Sequence, residues 1–411
     1  MIGTKYVPVT PSMVRDAFKK VKANRGSAGI DKQSIKDFEV NLEDNLYRIW
    51  NRMASGSYFP PAVKEVEIAK EDGKMRQLGI PTVSDRVAQT VVKTYLEPRF
   101  EAIFSPFSYG YRPGRNCHQA LAEVRANCWK TDWVIDMDIK GFFDNIDHEL
   151  LMLAIDKQVS EKWVKMYIKR WLEIPIITEK GETKYKQGKG TPQGGVVSPL
   201  LANVFLHYVF DKWMHINYPT TKFARYADDI IVHCSTKEES EQVLKAIKER
   251  MQQSNLELHP EKTKIVYCKD THRNNDEDNI QFNFLGYSFQ PRESKSKRGI
   301  FISFDCAISK AKQTKIKAAI RLTRFQKACT ATIVEIAVAL NPKIQGWLNY
   351  YGKFRKSEMR GVFYCLNERM VHWAHNKYRS MNWFQSYAWI RRQIKEAPTL
   401  FPHWKAGFIG V

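Results

Sequence analysis

The chain has no long apolar run and no signal-peptide pattern. None of its hydrophobic stretches approaches the roughly 18 residues that a membrane-spanning helix needs. The first residues, Met-Ile-Gly-Thr-Lys, lack the apolar core of a secretory signal. With 43% hydrophobic and 12% aromatic residues among 411, the composition is that of a folded globular protein with a substantial core. We therefore expect a cytoplasmic protein with no membrane partner.

Paired cysteines are also missing. The seven cysteines stand at positions 117, 128, 234, 268, 306, 329 and 365, and no two of them have Cys-x-x-Cys spacing. An odd number at scattered positions argues against both a disulfide framework and a structural zinc site. These thiols are therefore expected to be buried or idle.

Acidic residues are scarce in the last third of the chain. Residues 291–411 contain 23 Lys and Arg against 6 Asp and Glu, whereas the first 290 residues contain 42 against 38. Surface charge that only keeps a protein in solution would not require such an uneven division. The pattern favours a nucleic acid as the partner of the C-terminal third.

The spacing of apolar residues predicts a mixed α/β body followed by a basic helical domain. The expected features, in chain order, are helices over 10–55, strands over 60–85 around an Asp72-Gly73 turn, a helix over 84–104 with Ser84 as its N-cap, a strand over 133–139, helices over 160–172, 199–213 and 236–254, an exposed loop over 271–279, a linker over 294–299, and helices beyond 307 with a break at Asn341-Pro342.

Residues 223–234, Phe-Ala-Arg-Tyr-Ala-Asp-Asp-Ile-Ile-Val-His-Cys, are the most informative stretch. Two apolar runs around a polar pair predict a β-hairpin with Asp228 and Asp229 at its tip. Neighbouring carboxylates repel each other unless a cation lies between them, and Mg²⁺ prefers such oxygen ligands. On its own, however, an Asp-Asp pair is more often an ordinary solvated turn.

A second predicted strand, Trp133-Val134-Ile135-Asp136-Met137-Asp138-Ile139, also ends in carboxylates. In a strand, residues 136 and 138 share one face, while 137 and 139 point to the other. If this strand lies beside the hairpin, Asp138 joins Asp228 and Asp229 around a pair of metal ions. Such a cluster supports two-metal phosphoryl transfer. The alternative is an acidic strand end on the surface.

A glycine-rich loop, Gln193-Gly194-Gly195-Val196-Val197-Ser198-Pro199, precedes an apolar helix. Glycines let the backbone approach a ligand closely, and a helix N-terminus favours phosphate, although a Gly-Gly turn before a helix is common. Lys70 and Arg76 flank the predicted turn of the 60–85 strands and could reach a triphosphate. The alternative for both is ordinary surface solvation.

Taken in order, these segments resemble the reverse transcriptases, specifically those encoded by bacterial group II introns. The resemblance covers nearly the whole chain. The matching blocks are 76–82 with 85–89, 108–115, 138–144, 191–195 continuing through 198–203, 225–229, 259–264 and 284–287. One departure is Ile68-Ala69-Lys70, where the family often has Ile-Pro-Lys. The lysine is retained, so only the stiffness of the local backbone is in doubt.

The resemblance implies a role for each matching position. Asp138, Asp228 and Asp229 would be catalytic and would hold two Mg²⁺ ions, which Mn²⁺ could replace. The residues expected at the incoming dNTP are Lys70, Arg76, Ile139, Phe143, Gln193 and Gly194. Among these, Phe143 would exclude a ribose 2′-hydroxyl, although an aromatic residue there is more often simply core. The residues expected at the primer and template are Lys262, Leu285 and Gly286.

Residues 340–351 resemble the maturase, or X, domain that follows the polymerase in these intron proteins. There the helical thumb also grips intron RNA. Of the aromatic residues Trp347, Tyr350 and Tyr351, we expect most to be core and one or two to stack on bases. The residues expected to contact phosphate are Lys343, Lys353, Arg355 and Lys356.

The implied fold is a right-hand polymerase of the α/β (α+β) class, with an antiparallel palm sheet, flanking helices and an α-helical thumb. The expected domains are a helical N-terminal extension of the fingers (1–60), the fingers and palm (61–290), the thumb and maturase domain (291–380) and a basic aromatic tail (381–411). The His-Asn-His zinc endonuclease of some relatives has no counterpart here, so DNA cleavage is not expected and the primer would come from another source.

The implied function is RNA-directed DNA synthesis, which copies RNA into cDNA, together with binding of intron RNA to assist splicing and retrohoming. The expected partners are intron RNA, an RNA template with a DNA or RNA primer, dNTPs and target DNA. The oligomeric state, monomer or homodimer, is open. Two alternatives are a domesticated reverse transcriptase in defence or repair, and a splicing cofactor that only binds RNA.

Overall fold

A computed structural model describes residues 7–69, 75–297 and 299–411. The chain forms two compact units. The first comprises the described residues of Met1–Ala120 and Ile135–Lys264, and the second those of Leu121–Val134 and Ile265–Val411. None of the described helices combines the length and apolar character that crossing a membrane would require.

The α-helices among the described residues are, in chain order, α1 (Pro11–Asn24), α2 (Ile35–Val40), α3 (Leu42–Ala54), α4 (Val83–Glu101), α5 (Cys117–Cys128), α6 (Phe142–Asn145), α7 (His148–Asp156), α8 (Lys162–Leu172), α9 (Ser198–Leu206), α10 (Lys212–Asn217), α11 (Lys237–Gln253), α12 (Lys310–Leu322), α13 (Ile333–Tyr351), α14 (Arg360–Lys377), α15 (Trp383–Glu396) and α16 (Pro402–Lys405). A π-helical turn, His207–Asp211, joins α9 to α10.

The strands are β1 (Val63–Ala69), β2 (Met75–Ile80), β3 (Trp133–Met137), β4 (Ile176–Ile177), β5 (Thr183–Lys184), β6 (Lys222–Tyr226), β7 (Asp229–Cys234), β8 (Lys264–Tyr267), β9 (Phe282–Phe284), β10 (Tyr287–Ser296) and β11 (Gly299–Ile308). The predicted α/β class with a helical C-terminal region is confirmed. The Asp72-Gly73 turn between β1 and β2 lies outside the described residues.

The described part of the first unit combines helices with strands from two sheets. In one sheet β1 pairs with β2 and, in parallel, with β4, which pairs with β5. In the other, β6 pairs antiparallel with β7, and β3 lies on the far side of β7. Residues 230–234 of β7 are all buried, so this strand runs through the interior, as its continuous apolar run predicts.

The N-cap of helix α4 lies two residues before the predicted one. Thr82, not Ser84, is the cap, and its hydroxyl accepts a hydrogen bond from the N–H of Asp85. Thr82 has extended backbone angles, φ −61° and ψ 162°, which an N-cap requires. Ser84 already lies inside the helix. The predicted cap is therefore wrong by two positions, although serine and threonine cap helices through the same hydroxyl chemistry.

The second unit contains the sheet β11-β10-β9 and the helices that follow it. One apolar core joins these helices, and it includes Ile320, Ile336, Met370, Trp373, Ile390, Phe401 and Trp404. Residues 381–411 therefore contribute side chains to the same core as α12–α14. The division into four segments that the sequence suggests stays a prediction.

The linker predicted over 294–299 is wrong. Residues 294–296 and Gly299 belong to a long antiparallel hairpin in which Tyr287 pairs with Ile308 and Ser296 pairs with Gly299. Gly299 has a φ of +127°, which residues other than glycine rarely adopt. The polar Ser-Lys repeat resembles a linker because the end of β10 is largely exposed and itself carries no apolar residue; the apolar residues Ile300, Phe301 and Ile302 lie on the paired strand β11 and are exposed as well.

The break predicted at Asn341-Pro342 is also wrong. Helix α13 continues through Pro342, although proline cannot donate the bond to the carbonyl four residues earlier. That carbonyl belongs to Val338, a residue that is 72% exposed, so the missing bond falls on the solvent-facing side of the helix. Asn341 adds a bond from its side-chain amide to the Leu400 carbonyl at 2.9 Å.

The buried side chain of Asn367 on α14 holds the C-terminal segment in place. Its Oδ1 accepts hydrogen bonds from Nε2 of His403 at 2.8 Å and Nε1 of Trp404 at 2.9 Å. Its Nδ2 donates to the carbonyls of Phe408 at 3.1 Å and Gly410 at 2.8 Å. One amide thus satisfies four polar groups.

We expect Asn367→Leu to lower the free energy of unfolding of the full chain by about 3 kcal/mol, because it leaves buried donors and acceptors without partners. Thermal unfolding and proteolysis at the C-terminal segment measure the effect. The control is Asn349→Leu on the exposed side of α13, for which we expect a change within about 0.5 kcal/mol. Equal effects of the two substitutions would contradict this role of Asn367.

Candidate active site

Asp228 and Asp229 lie at the turn of the β6–β7 hairpin, as predicted. Tyr226 pairs with Asp229, so Ala227 and Asp228 form the two-residue turn. Ala227 has a φ of +58°, an angle that costs a residue with a Cβ of the order of 1 kcal/mol. The turn is therefore held in its shape by its surroundings, not by local preference.

Arg225 supports this turn from inside the protein. Its side chain is fully buried and forms two hydrogen bonds with the Asp211 carboxylate, at 2.7 and 2.6 Å. Its remaining terminal nitrogen donates to Oδ1 of Asn203 at 2.9 Å and to the carbonyl of Ala227 at 3.1 Å. The π-helical turn and α9 thus fix the position of the carbonyl next to Asp228.

A glycine lets a neighbouring segment pack against the same turn. A Cβ at Gly110 would collide with the backbone nitrogen of Ala227. The segment is aligned by a hydrogen bond from Tyr109 N–H to the Arg225 carbonyl at 2.8 Å and by one from the Asn203 amide to the Gly110 carbonyl at 2.7 Å. Asn203 therefore links Gly110 to Arg225.

Asp138 directly follows β3, which is the neighbour of β7 in the sheet. Met137 and Ile139 are 2% and 3% exposed, whereas Asp136 and Asp138 are partly exposed, so the alternation predicted for this strand is confirmed. The Lys262 ammonium lies 3.3 Å from a carboxylate oxygen of Asp138.

The carboxylates at the turn influence one another. Burial raises the pKa of Asp228, and the Asp138 carboxylate raises it further while Arg76 opposes the change. Desolvation by the surrounding protein also raises the pKa of Asp229 to about 7, although this residue still reaches solvent at the start of β7; repulsion from Asp228 and Asp138 adds to the shift, and Lys262 opposes it. Ionised together, these groups repel, so the site favours a cation or a proton.

Asp136 belongs to the same electrostatic group, although it is not among the site residues predicted from the sequence. Burial raises its pKa to about 7, Asp229 and Asp138 contribute repulsion, and Lys264 acts in the opposite direction. Its alternation with Asp138 along β3 was the signal that could have identified it.

The donor groups at this site fit a hard divalent cation, because they are carboxylate oxygens whose charges are poorly compensated. Mg²⁺ typically uses one or two carboxylates and completes its shell with water and substrate phosphate. In the described parts of the chain, no three His, Cys, Asp or Glu side chains converge into a ready-made metal site.

Arg76 and Gln193, both predicted at the dNTP, are in contact. Nε of Arg76 donates to Oε1 of Gln193 at 2.7 Å, and Nε2 of Gln193 donates to Asp144 at 2.9 Å. Gly194 has a φ of +121°, and a Cβ there would collide with the Gly79 carbonyl. Lys70 lies outside the described residues.

Phe143 and Ile139 are buried, at 8% and 3% exposure. The Phe143 carbonyl accepts a hydrogen bond from the N–H of Thr191 at 2.7 Å, and its ring packs edge-on against Phe142. The backbone of the glycine-rich segment is therefore tied to α6. The steric role of Phe143 stays a prediction.

Leu285 and Gly286, predicted to contact the primer, form a turn in the second unit with φ values of +51° and +80°. The hydroxyl of Tyr350 donates to the Leu285 carbonyl at 2.8 Å. A Cβ at Gly286 would lie 3.2 Å from the hydroxyl oxygen of Tyr351. These aromatic residues of α13 thus support the turn, and their role in stacking on bases stays a prediction.

The basic residues predicted to contact phosphate differ in their surroundings. Lys343 and Lys353 are exposed. Arg355 donates to the Ser294 hydroxyl at 2.9 Å and lies 3.5 Å from Asp305, and Lys356 donates to a backbone carbonyl at 2.7 Å. Arg355 and Lys356 therefore already serve the internal structure of the second unit.

Two family profiles match the chain. The profile described as "Reverse transcriptase (RNA-dependent DNA polymerase)" covers residues 68–289, more than half of the chain. The profile described as "Group II intron, maturase-specific domain" covers residues 313–395. The first match contains the three carboxylates and the glycine-rich loop, and the second contains α13 and α14.

Curated relatives agree with these matches. The chain is 35% identical over 207 residues to the group II intron-encoded protein LtrA of Lactococcus lactis subsp. cremoris, which is 50% of this chain and 34% of LtrA. It is 29% identical over 300 residues to protein YkfC of Escherichia coli K12, 63% of this chain and 78% of YkfC. It is 25% identical over 203 residues to nuclear intron maturase 4, mitochondrial, of Arabidopsis thaliana, 49% of this chain and 24% of that protein. The chain thus spans about a third of the length of LtrA.

We expect Asp211→Ala to lower the free energy of unfolding by about 3–5 kcal/mol, because it leaves the buried Arg225 charge unpaired. Urea denaturation of the full chain measures this loss. The control is Asp156→Ala, which removes an exposed ion pair with Lys165 and is expected to cost less than about 1 kcal/mol. Similar losses for both variants would show that the Arg225 pair is not special.

We expect the stability of the metal-free protein to fall as pH rises from about 4 to 7. In that range the folded state holds protons on Asp136 and Asp229 that the unfolded chain has released.

Mg²⁺ should therefore raise the melting temperature more near pH 8, where the carboxylates are ionised, than near pH 5. Asp228→Asn should reduce the Mg²⁺ effect near pH 8. An equal shift at both pH values would argue against a metal held by these groups.

Proposed function

Because this chain belongs to the family of reverse transcriptases, we propose that it extends the 3′-hydroxyl of a primer with dNTPs on an RNA template. The observation that carries the proposal is the group of partly compensated carboxylates, Asp138, Asp228 and Asp229, at a turn that a buried ion pair supports. In phosphoryl transfer, such a group of carboxylates binds the cations that stabilise the negative charge of the reacting triphosphate.

We propose that these carboxylates hold Mg²⁺, with Mn²⁺ as a possible substitute. When bound, two such ions would activate the primer hydroxyl and stabilise the pyrophosphate that leaves. Lys262, which lies 3.3 Å from Asp138, partly neutralises that carboxylate in the absence of a metal. Its ammonium would be free to contact the primer and template once another cation compensates Asp138.

The dNTP would bind beside the contact between β2 and the glycine-rich loop. Arg76 contributes a positive charge and is held by Gln193. Gly194, which is exposed, leaves the backbone of the loop accessible to the substrate. Lys70 would add a second positive charge, while Ile139 and Phe143 would form the apolar wall beside the sugar. The triphosphate would therefore have the positive side chains of Arg76 and Lys70 on one side and the close-packed backbone of the glycine-rich loop on the other.

The second unit would bind intron RNA and assist its splicing. This proposal rests on the maturase-specific match over 313–395 and on the net charge of +17 in residues 291–411. Leu285 and Gly286 would contact the primer terminus. In retrohoming the protein would also meet target DNA, and we propose that it does so in the bacterial cytoplasm. Neither a defence or repair role nor an RNA-binding role without synthesis gains support from the two matches.

We expect Asp228→Ala to reduce primer extension on an RNA template to the level of a reaction without enzyme, because it removes a carboxylate from the metal-binding group. Binding of the same preparation to group II intron RNA should be unchanged, since the expected RNA contacts lie in residues 291–411. The control is Asp156→Ala, which should extend primers like the wild type. Full extension by Asp228→Ala would refute the metal assignment, and loss of RNA binding would refute the separation of the two activities.

A further inference from the structure

A carboxylate lies in the core of the first unit, away from the carboxylates at the hairpin turn. Asp85 on α4 is fully buried, and its three side-chain partners are neutral donors. Oδ1 accepts hydrogen bonds from the Tyr58 hydroxyl at 3.1 Å and from Nε1 of Trp171 at 2.8 Å. Oδ2 accepts one from Nε2 of Gln89 at 2.9 Å. An apolar residue at such a position could supply as much stability as the buried charge does.

The carboxylate determines how the Gln89 side chain is oriented. An ionised carboxylate only accepts hydrogen bonds, whereas a glutamine amide has one accepting and one donating end. Because Asp85 takes the donating end, Oε1 of Gln89 must point the other way. There it accepts the backbone N–H of Val197 at 3.1 Å, and Gln89 itself is 3% exposed.

Val197 is the residue before α9, where the glycine-rich loop ends. The other end of the loop is held by a hydrogen bond from the Gly79 N–H to the Gln193 carbonyl at 2.7 Å. Between them, a Cβ at Gly195 would lie 3.3 Å from Oε1 of Gln89. The loop is thus held at Gln193 by its backbone and by its side-chain bonds to Arg76 and Asp144, and at Val197 by the side chain of Gln89.

We propose that Asp85 and Gln89 are positioning residues for dNTP binding: Asp85 sets the polarity of the Gln89 amide, and Gln89 holds the glycine-rich loop in the shape that receives the nucleotide. The inference rests on the proposed polymerase function. It assigns the loop's shape to a hydrogen-bond relay, Asp85 to Gln89 to Val197, whose three members are all buried.

Asp85→Asn tests the polarity directly, because asparagine has nearly the same shape. The donor-only indole of Trp171 keeps the Asn oxygen on its side, so the new amide nitrogen faces the donating end of Gln89. Gln89 must then turn, and it presents N–H groups to the N–H of Val197. We expect the KM for dNTP to rise about tenfold with kcat within about threefold.

Gln89→Met is the second variant, because it removes the relay without adding a buried charge. It should raise the KM for dNTP by a similar factor, and the double variant Asp85→Asn/Gln89→Met should be no worse than Gln89→Met alone. The matched control is Thr90→Val, which removes a buried hydroxyl that bonds only within α4, to the Arg86 carbonyl at 2.7 Å. This control should keep the wild-type KM.

The outcomes separate the relay from the polymerase function. An unchanged KM in both single variants would overturn the relay, as would additive effects in the double variant. A fall in kcat and melting temperature with no change in KM would show that Asp85 only stabilises the fold, and it too would overturn the proposal. Absence of primer extension by the wild type and Thr90→Val would instead refute the polymerase function itself.

Discussion

The Arg225 guanidinium reaches no solvent and gives its hydrogen bonds to Asp211, Asn203 and the carbonyl of Ala227. Desolvating a charge is costly, and the paired carboxylate together with two neutral acceptors offsets that cost only when all of them are in place. A structure in which only some of these hydrogen bonds are formed is therefore unfavourable. These hydrogen bonds connect α9, the π-helical turn and β6 to the Ala227 carbonyl. The position of that peptide determines the orientation of Asp228. The turn itself has an unfavourable backbone angle at Ala227, so without this support its conformation would not be the preferred one.

The parts of the site that depend on local pattern could be predicted from the sequence. The hairpin of β6 and β7 follows from two apolar runs around a polar pair, and the alternation along β3 placed Asp138 on its partly exposed face. The resemblance to group II intron reverse transcriptases, drawn from blocks in order, is confirmed by both family matches. The support beneath the turn could not be predicted in this way, because Asp211 and Arg225 are fourteen positions apart on elements whose packing no local pattern specifies.

The errors have the same origin. Thr82 and Ser84 have equivalent side chains, and only the backbone angles distinguish the cap from a residue inside α4. The Ser-Lys repeat at the end of β10 resembles a linker because it is largely exposed and carries no apolar residue. Pro342 was expected to end a helix, but the carbonyl that it leaves unpaired belongs to an exposed residue, Val338. In each case the deciding factor is solvent access or backbone conformation, which composition does not report.

Two glycines, one beside the β6–β7 turn and one in the glycine-rich loop, also limit how this protein can change over time. At Gly110 and Gly194 a side chain of any size would strike backbone atoms of Ala227 and Gly79, and backbone cannot yield as a flexible side chain can. A single substitution at either position would force backbone atoms to move, so we expect it to be poorly tolerated. Adaptation of nucleotide preference must instead proceed through neighbours with exposed or adjustable side chains, such as Arg76 and Asp144. The variation available to descendants of this chain is thus already restricted by two places where one stretch of main chain lies against another.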